Sequence, residues 1–396
     1  MNPILLKPRK DVSSEIVLMG KVYDAPCDKN YYKDFTMGKG IETVREALSI
    51  IDKNFDLMVC EGAGSPAEIN LNAGEIANMR VAREADIPVI LVTDVDRGGS
   101  LASVVGTLEL LGEDRKRVKG IIFNKFRGDI SLFQDAVEWT EKHTGVKVVG
   151  VMPWLTDIII EGEDILSLNW NSGSGDCAEK LRVGVVKFPR VSNHTDIEAF
   201  RFEPDVEIVE LSSPSQLARL DAVVLPGTKS TVLDMKYLID SGLADGIRRF
   251  YENGGTVYGL CGGYQMMGEK IDDSHLRDNE KIPEIEGLGL LPAVTTFGEE
   301  KTVIRRRGRA IHPYFTTETP VDGYEIHFGI TRPTRDDPKF APLFELDGRE
   351  DGLADAELRA AGSYLHNAFH NDLFRAEWLN RLRKKRGLPE RGPVST

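Results

Sequence analysis

The chain has 396 residues, 41% of them hydrophobic, and a formal charge of −13. That length favours two domains with cores of their own, and the acidic balance argues against a partner held through nucleic-acid phosphates. No apolar run reaches membrane-spanning length, and the start MNPILLKPRK lacks the apolar core of a signal peptide. Cys27, Cys60, Cys177 and Cys261 are scattered without metal-ligand spacing. They read as free thiols in a reducing cytoplasm.

In chain order, the first block offers short apolar runs expected as buried parallel strands: Leu57–Cys60, Pro88–Thr93, Gly120–Asn124 and Val146–Val151. Helical patterns fall between them at Gly74–Ala85 and Leu101–Leu111. Strands alternating with helices imply a doubly wound α/β sheet, with ligands at the loops that follow the strands. Glu161–Lys180 contains Asn171-Ser172-Gly173-Ser174-Gly175-Asp176, a polar stretch without periodicity, expected as a linker. The domains are therefore placed at 1–160 and 181–385, joined by 161–180. The second block opens with a strand at Leu181–Val186 and continues with Asp221–Leu225, Gly255–Leu260, Gly323–Phe328 and Ala361–Leu365. The polar end is expected to be frayed from Lys384, with a flexible tail at 386–396.

Three motifs in the second block carry chemistry. In Gly259-Leu260-Cys261-Gly262-Gly263, an apolar strand delivers a cysteine to a glycine-flanked turn before a helix. This is the thiol form of a nucleophile elbow, and a helix N-terminus favours the reactive thiolate. Leu225-Pro226-Gly227-Thr228 puts a glycine loop directly after a strand, able to aim a backbone N–H at a developing oxyanion. Gly362-Ser363-Tyr364-Leu365-His366 delivers a histidine, the base a cysteine nucleophile needs close in space. Alone, each has a bland reading as a buried thiol, a turn or a structural histidine. Their order and combination point to catalysis.

The segment Arg182–Leu382, and above all Gly-Leu-Cys-Gly-Gly-Tyr-Gln-Met-Met-Gly, resembles class I glutamine amidotransferases, with the cobyric acid synthase branch the nearest in pattern. The resemblance implies that Cys261 attacks the side-chain amide of L-glutamine and that His366 moves the proton. It also implies that the N–H groups of Gly227 and Gly262 hold the oxyanion and that Gln265 helps seat the glutamine. Class I enzymes carry a glutamate two residues after the histidine. Ala368 stands there, as the branch allows. Glu325, in Gly323-Tyr324-Glu325-Ile326-His327, is a candidate replacement, with Glu325 and His327 as surface or substrate-pocket residues the competing reading.

Met1–Pro8 and Glu61-Gly62-Ala63-Gly64-Ser65-Pro66 resemble the ATP-binding half of the same branch, which is similar to dethiobiotin synthetase, a phosphate-loop fold. Glu61 is placed as a Mg²⁺ ligand, and Asp94, Asn124 and Lys125 at strand ends as ATP-binding residues. No Gly-x-x-x-x-Gly-Lys-Ser/Thr occurs in the chain, although the family has such a loop ahead of this segment. The expectation is thus a truncated phosphate-loop domain followed by an amidotransferase domain. Three explanations of the missing loop stay open: a start placed inside the pattern, a separate N-terminal phosphate-loop fragment as a partner, or loss of ATP use, with the first two favoured. By resemblance, the activity is ATP- and glutamine-dependent amidation of the b, d, e and g carboxylates of adenosylcobyrinic acid a,c-diamide, a corrinoid. Three alternatives stay open: cobyrinic acid a,c-diamide synthase, a glutaminase subunit feeding a partner, and an ATP-inactive corrinoid-binding remnant.

Overall fold

The computed structural model describes residues 2–10, 13–23, 35–70, 74–155, 180–278, 281–315 and 318–395. The chain divides into two compact units, Met1–Ile159 and Ile160–Thr396. The linker placed at 161–180 falls outside the described residues except for its last residue.

The first unit begins with three antiparallel strands, β1 (Ile4–Lys10), β2 (Ser13–Leu18) and β3 (Lys21–Tyr23), and the helix α1 (Ile41–Asn54) follows. After α2 (Met79–Glu84) come β4 (Val89–Asp94), α3 (Ser100–Leu110), β5 (Val118–Phe126), α4 (Gln134–Thr144) and β6 (Val148–Pro153). β4, β5 and β6 pair in parallel, in that order. Val104 and Leu108 of α3 pack with Ile121 and Phe123 of β5 in one buried cluster.

Three expectations here are corrected. Leu57–Cys60 is not a strand, and Leu57 and Val59 are 80% and 85% exposed. A strand exists only with a hydrogen-bonded neighbour, and among the described residues this run has none. Glu61 therefore sits in an irregular loop, not at a strand end. The helix expected from Gly74 begins only at Met79, because the Glu75 carboxylate accepts the backbone N–H groups of Ala77, Asn78 and Arg80 and makes a separate turn. β6 starts two residues late: Gly145 ends α4 in a left-handed conformation, and the Thr144 hydroxyl accepts the Val146 N–H at 3.1 Å.

The second unit contains β7 (Leu181–Val186), β8 (Val206–Leu211), β9 (Ala222–Leu225), α5 (Thr231–Asp240), α6 (Leu243–Glu252), β10 (Thr256–Leu260) and α7 (Gly262–Met267). There follow β11 (Lys270–Asp272), β12 (Glu284–Glu286), the long hairpin β13 (Ala293–Ala310) and β14 (Thr319–Pro333), and the short strands β15 (Phe340–Ala341), β16 (Phe344–Leu346), β17 (Arg349–Asp351) and β18 (Leu353–Asp355). β19 (Ala360–Ser363) and α8 (Asp372–Arg386) close the unit. The central seven-stranded sheet runs β15-β18-β19-β10-β9-β7-β8. Its five strands from β19 to β8 are parallel.

The central strands β9 and β10 are buried on both faces. Val223, Leu225 and Val257 join one core cluster, while Ala222, Val224, Tyr258 and Leu260 join the other. Continuous apolar runs are what such burial selects. The short strand expected at Gly323–Phe328 is the middle of β14, and its partner β13 carries Arg305, Arg306, Arg307 and Arg309, a charged run without the apolar signal of a strand. The frayed end is also corrected. α8 continues to Arg386, and beyond it the Arg391 N–H bonds Asn380 Oδ1 at 2.9 Å and its guanidinium lies 3.2 Å from Asp205.

Candidate active site

β10 carries five fully buried residues to the top of the sheet, where Cys261 turns the chain into α7. Cys261 adopts φ 51°, ψ −107°, a conformation that costs an L-residue roughly 1–3 kcal/mol and persists only when its surroundings enforce it. They do: the Cys261 N–H is bonded to the Ser363 carbonyl at 2.9 Å, and its own carbonyl accepts the Gln265 N–H at 3.0 Å. Two glycines make the turn possible. A Cβ on Gly263 would lie 2.0 Å from the Leu225 carbonyl oxygen, and one on Gly259 2.6 Å from the Tyr264 nitrogen.

His366 follows β19 and is 1% exposed. β19 lies beside β10 in parallel register, with Leu260 opposite Ser363, so the histidine arrives next to the cysteine. Sγ also lies 3.4 Å from the Ile326 carbonyl oxygen. The other side of the imidazole meets a residue the sequence reading did not single out. His366 Nδ1 is 2.7 Å from Oδ2 of Asp196, which is 0% exposed, and Asp196 Oδ1 accepts the Asn367 N–H at 2.7 Å. Burial alone would lower the histidine pKa. Asp196 and Cys261 outweigh it and hold His366 up at about 10.

Glu325 does not serve the histidine. Its carboxylate lies 3.2 Å from Arg306 Nε and 3.6 Å from His327 Nε2. Burial opposes its charge, yet His327 and Arg306 keep it below the usual glutamate range. Ala368 is fully buried in the turn after His366.

The Gly227 loop and the elbow face each other. A Cβ on Gly262 would meet the Thr228 nitrogen at 3.2 Å, and one on Gly227 would meet His366 Cε1 at 3.3 Å. Gln265 is 2% exposed, with its amide already engaged: Oε1 accepts the Thr231 hydroxyl at 2.7 Å, and Nε2 donates to the Tyr364 hydroxyl at 3.3 Å. Tyr364 in turn bonds Thr331 at 2.7 Å and stacks on His327 with ring centroids 3.7 Å apart. Gln265 thus ties the elbow helix to α5 and to the strand of the histidine.

In the first unit the expected ATP residues lie where β4 and β5 end. Lys125 Nζ bonds Asp94 Oδ2 at 2.9 Å, and that bond comes first among the causes holding Asp94 below the usual carboxylate range. Asn124 Oδ1 accepts the Lys125 N–H at 2.9 Å. Arg127 pairs with Asp96 at 2.7 Å and lies 3.6 Å over the ring of Trp154, a residue the sequence reading did not mark. Glu61 is exposed in its loop, which Asn78 holds by a 2.8 Å bond to the Ala63 carbonyl. Among the described residues no three His, Cys, Asp or Glu side chains group as a metal site. Lone exposed carboxylates suit a cation that shares its shell with phosphates and water, and do not suit an all-protein cage.

Comparison with known proteins agrees with this division. A family profile described as a CobB/CobQ-like glutamine amidotransferase domain matches residues 182–374, and one described as an AAA domain matches residues 14–161. The cobyric acid synthase of Geobacillus kaustophilus (strain HTA426) is 43% identical over 99% of this chain and 77% of its own length. Those of Synechococcus elongatus (strain ATCC 33912 / PCC 7942 / FACHB-805) and Carboxydothermus hydrogenoformans (strain ATCC BAA-161 / DSM 6008 / Z-2901) are 43% and 42% identical over 98% of this chain, and 78% and 77% of theirs. The chain belongs to the cobyric acid synthase family. A solved glutamine amidotransferase structure aligns with 52% of this chain and 99% of its own, at 16% identity and a TM-score of 0.39.

As a member of that family the chain is a glutamine-hydrolysing amidoligase, built from an ATP-type α/β unit and an amidotransferase unit. Sequence reasoning singled out Cys261, His366, Gly227 and Gly262 because each follows an apolar strand. It did not mark Asp196, in the turn His194–Phe202, or Trp154, just past β6. The signal for Trp154 was available, since it follows a strand. Asp196 had none.

Among the described residues no helix is long and apolar enough to cross a membrane.

Proposed function

We propose that this chain hydrolyses L-glutamine at Cys261 and delivers the ammonia to ATP-activated peripheral carboxylates of adenosylcobyrinic acid a,c-diamide, amidating positions b, d, e and g. The observation that carries the glutaminase half is Cys261, strained at its elbow beside the strand that delivers His366, whose Nδ1 lies 2.7 Å from a buried carboxylate. The relatives named cobyric acid synthase support the acceptor.

The thiolate attacks the side-chain carbonyl carbon of glutamine. The negative charge that develops on oxygen is met by the N–H groups of Gly227 and Gly262, donors already fixed before reaction. His366 gives its proton to the departing nitrogen, the C–N bond breaks and ammonia leaves a glutamyl thioester. Water then attacks the thioester, neutral His366 takes one of its protons, the C–S bond breaks, and glutamate leaves with its carboxyl proton lost to solvent, so the thiolate and protonated His366 return. Gln265 supports this pocket from beneath, through Thr231 and Tyr364. A cytoplasmic setting suits a nucleophile that must stay reduced.

Asp94, Asn124 and Lys125 are our candidates for contacts to ATP, and Glu61 for Mg²⁺. Bound Mg²⁺ would neutralise phosphate charge while the substrate carboxylate is phosphorylated, which makes that carboxylate a better electrophile for ammonia. Trp154, with Arg127 over its ring, adds a flat apolar surface beside these groups. The test is corrinoid amidation followed by mass, with ATP and either glutamine or ammonium as nitrogen source. Amide formation with neither source would overturn the proposal.

A further inference from the structure

We propose that Asp196 is the positioning acid of His366, and that the strap Arg190–Asp196 which carries it also seats the oxyanion loop. One segment then sets both halves of the glutaminase site. The inference rests on Cys261 and His366 being the catalytic pair.

The acid that class I enzymes place two residues after the histidine is Ala368 here. Asp196 supplies a carboxylate from 170 residues away, and its geometry leaves it little freedom. One oxygen holds His366 Nδ1 and the other holds the Asn367 N–H, both at 2.7 Å. The Asp196 N–H is itself bonded to the Asn193 carbonyl at 3.1 Å. A fully buried carboxylate with two such anchors orients the ring and stabilises its imidazolium form. With Nδ1–H committed to Asp196, Nε2 is the atom free to exchange a proton with Cys261.

The same strap reaches the oxyanion loop. The Arg190 carbonyl accepts the Lys229 N–H at 2.9 Å and the Thr228 hydroxyl at 3.1 Å. Val191 bridges Thr228, and the Ser192 N–H bonds the Gly227 carbonyl at 2.8 Å. Asn193, at φ 52°, then turns the chain from the loop towards the histidine. On the far side the Thr195 carbonyl lies 2.8 Å from His370 Nε2. The titratable groups that face His366 are Asp196 from the strap, Cys261 from the elbow and Tyr324 of β14, whose ring stacks at 5.2 Å.

The test measures glutamine hydrolysis by the full chain across neutral to alkaline pH for D196N and D196E, beside C261A and H366A. The rate of Cys261 alkylation by iodoacetamide is followed in parallel. D196N is expected to lower kcat/KM on the order of 100-fold, mostly through kcat. Its alkaline limb should move down by about one pH unit or more, because the imidazolium loses its counter-charge, and Cys261 alkylation near neutral pH should slow, because the thiolate then lacks a stable cationic partner. D196E keeps the charge and should recover part of both. D196N activity within about threefold of the parent overturns the proposal, as does a loss of rate with the alkaline limb unmoved. Should D196N fail to fold, D196A decides by the same limb: a folded D196A with parental rate and profile overturns it. Retained hydrolysis in C261A or H366A would instead refute the catalytic pair.

Discussion

The glutaminase site and the strand ends of the first unit solve the problem of holding charge in opposite ways. His366, Asp196 and Gln265 are each at most 2% exposed, and each is held by a residue from another element. Asp94, Lys125 and Arg127 pair with one another or with Asp96 across an open surface, their side chains 27%, 46% and 57% exposed. Acyl transfer through a thiolate needs donors fixed before reaction and a dry ion pair, so burial serves it. Exposed pairs are screened by water and are readily exchanged for contacts with a phosphate or a cation. The first unit's charges are thus available to a ligand, whereas the second unit's are spoken for.

The sharpest break of this contrast is Cys261→Ala. We expect glutamine-dependent amidation to fall by about 10³-fold or more, while amidation supported by ammonium persists, measured by corrinoid mass. Loss of both would show that the two functions do not separate along the two units.

Next in size is a structural substitution of the buried kind. Arg383 is fully buried and binds Glu203 at 3.0 Å and Asp205 at 2.8 Å, fastening α8 to the turn before β8. Arg383→Met leaves both carboxylates buried without that guanidinium, at a cost of about 3–5 kcal/mol. Urea unfolding of the full chain, followed by the fluorescence of the buried Trp378, should show it. A shift in midpoint worth under about 1 kcal/mol would mean this pair behaves like an exposed one.

The pH dependence sharpens the contrast without mutation. His366 has its folded-state pKa raised from 6.5 to about 10. Its contribution to stability is therefore fully present below about 6.5 and is lost as pH rises through about 10. Glutamine hydrolysis should decline over the same alkaline limb, read from kcat/KM against pH. A decline centred near neutrality would mean that Asp196 does not hold the proton in solution.

The smallest effect is expected at Lys125. Lys125→Met should change unfolding by at most about 1 kcal/mol yet raise the KM for ATP several-fold, seen in initial rates with ATP varied. A large stability loss with an unchanged KM would make the Lys125–Asp94 pair structural.

Much of the second unit was legible because its signals are local. Gly259, Cys261 and Gly263 declare the elbow within five residues, since only glycine tolerates backbone at 2.0–2.6 Å from its Cβ position. The strand carrying His366 reads as an apolar run because both its faces are buried. Elsewhere the same rule failed. Leu57–Cys60 is apolar but unpaired, and β13 is paired but charged, so composition and pairing part company at both. Glu325 was drawn towards the histidine by its place in a strand-like motif, but Arg306 and His327 hold it in place.

The sequence alone singled out the Cys261 elbow, the strand that leads to His366 and the α/β character of both units, because steric and hydrophobic demands within a few residues leave few alternatives. Only the tertiary structure decided which carboxylate meets His366. Asp196 and His366 are 170 residues apart, and a buried carboxylate in a polar turn looks like any other until the fold brings its oxygen within 2.7 Å of Nδ1.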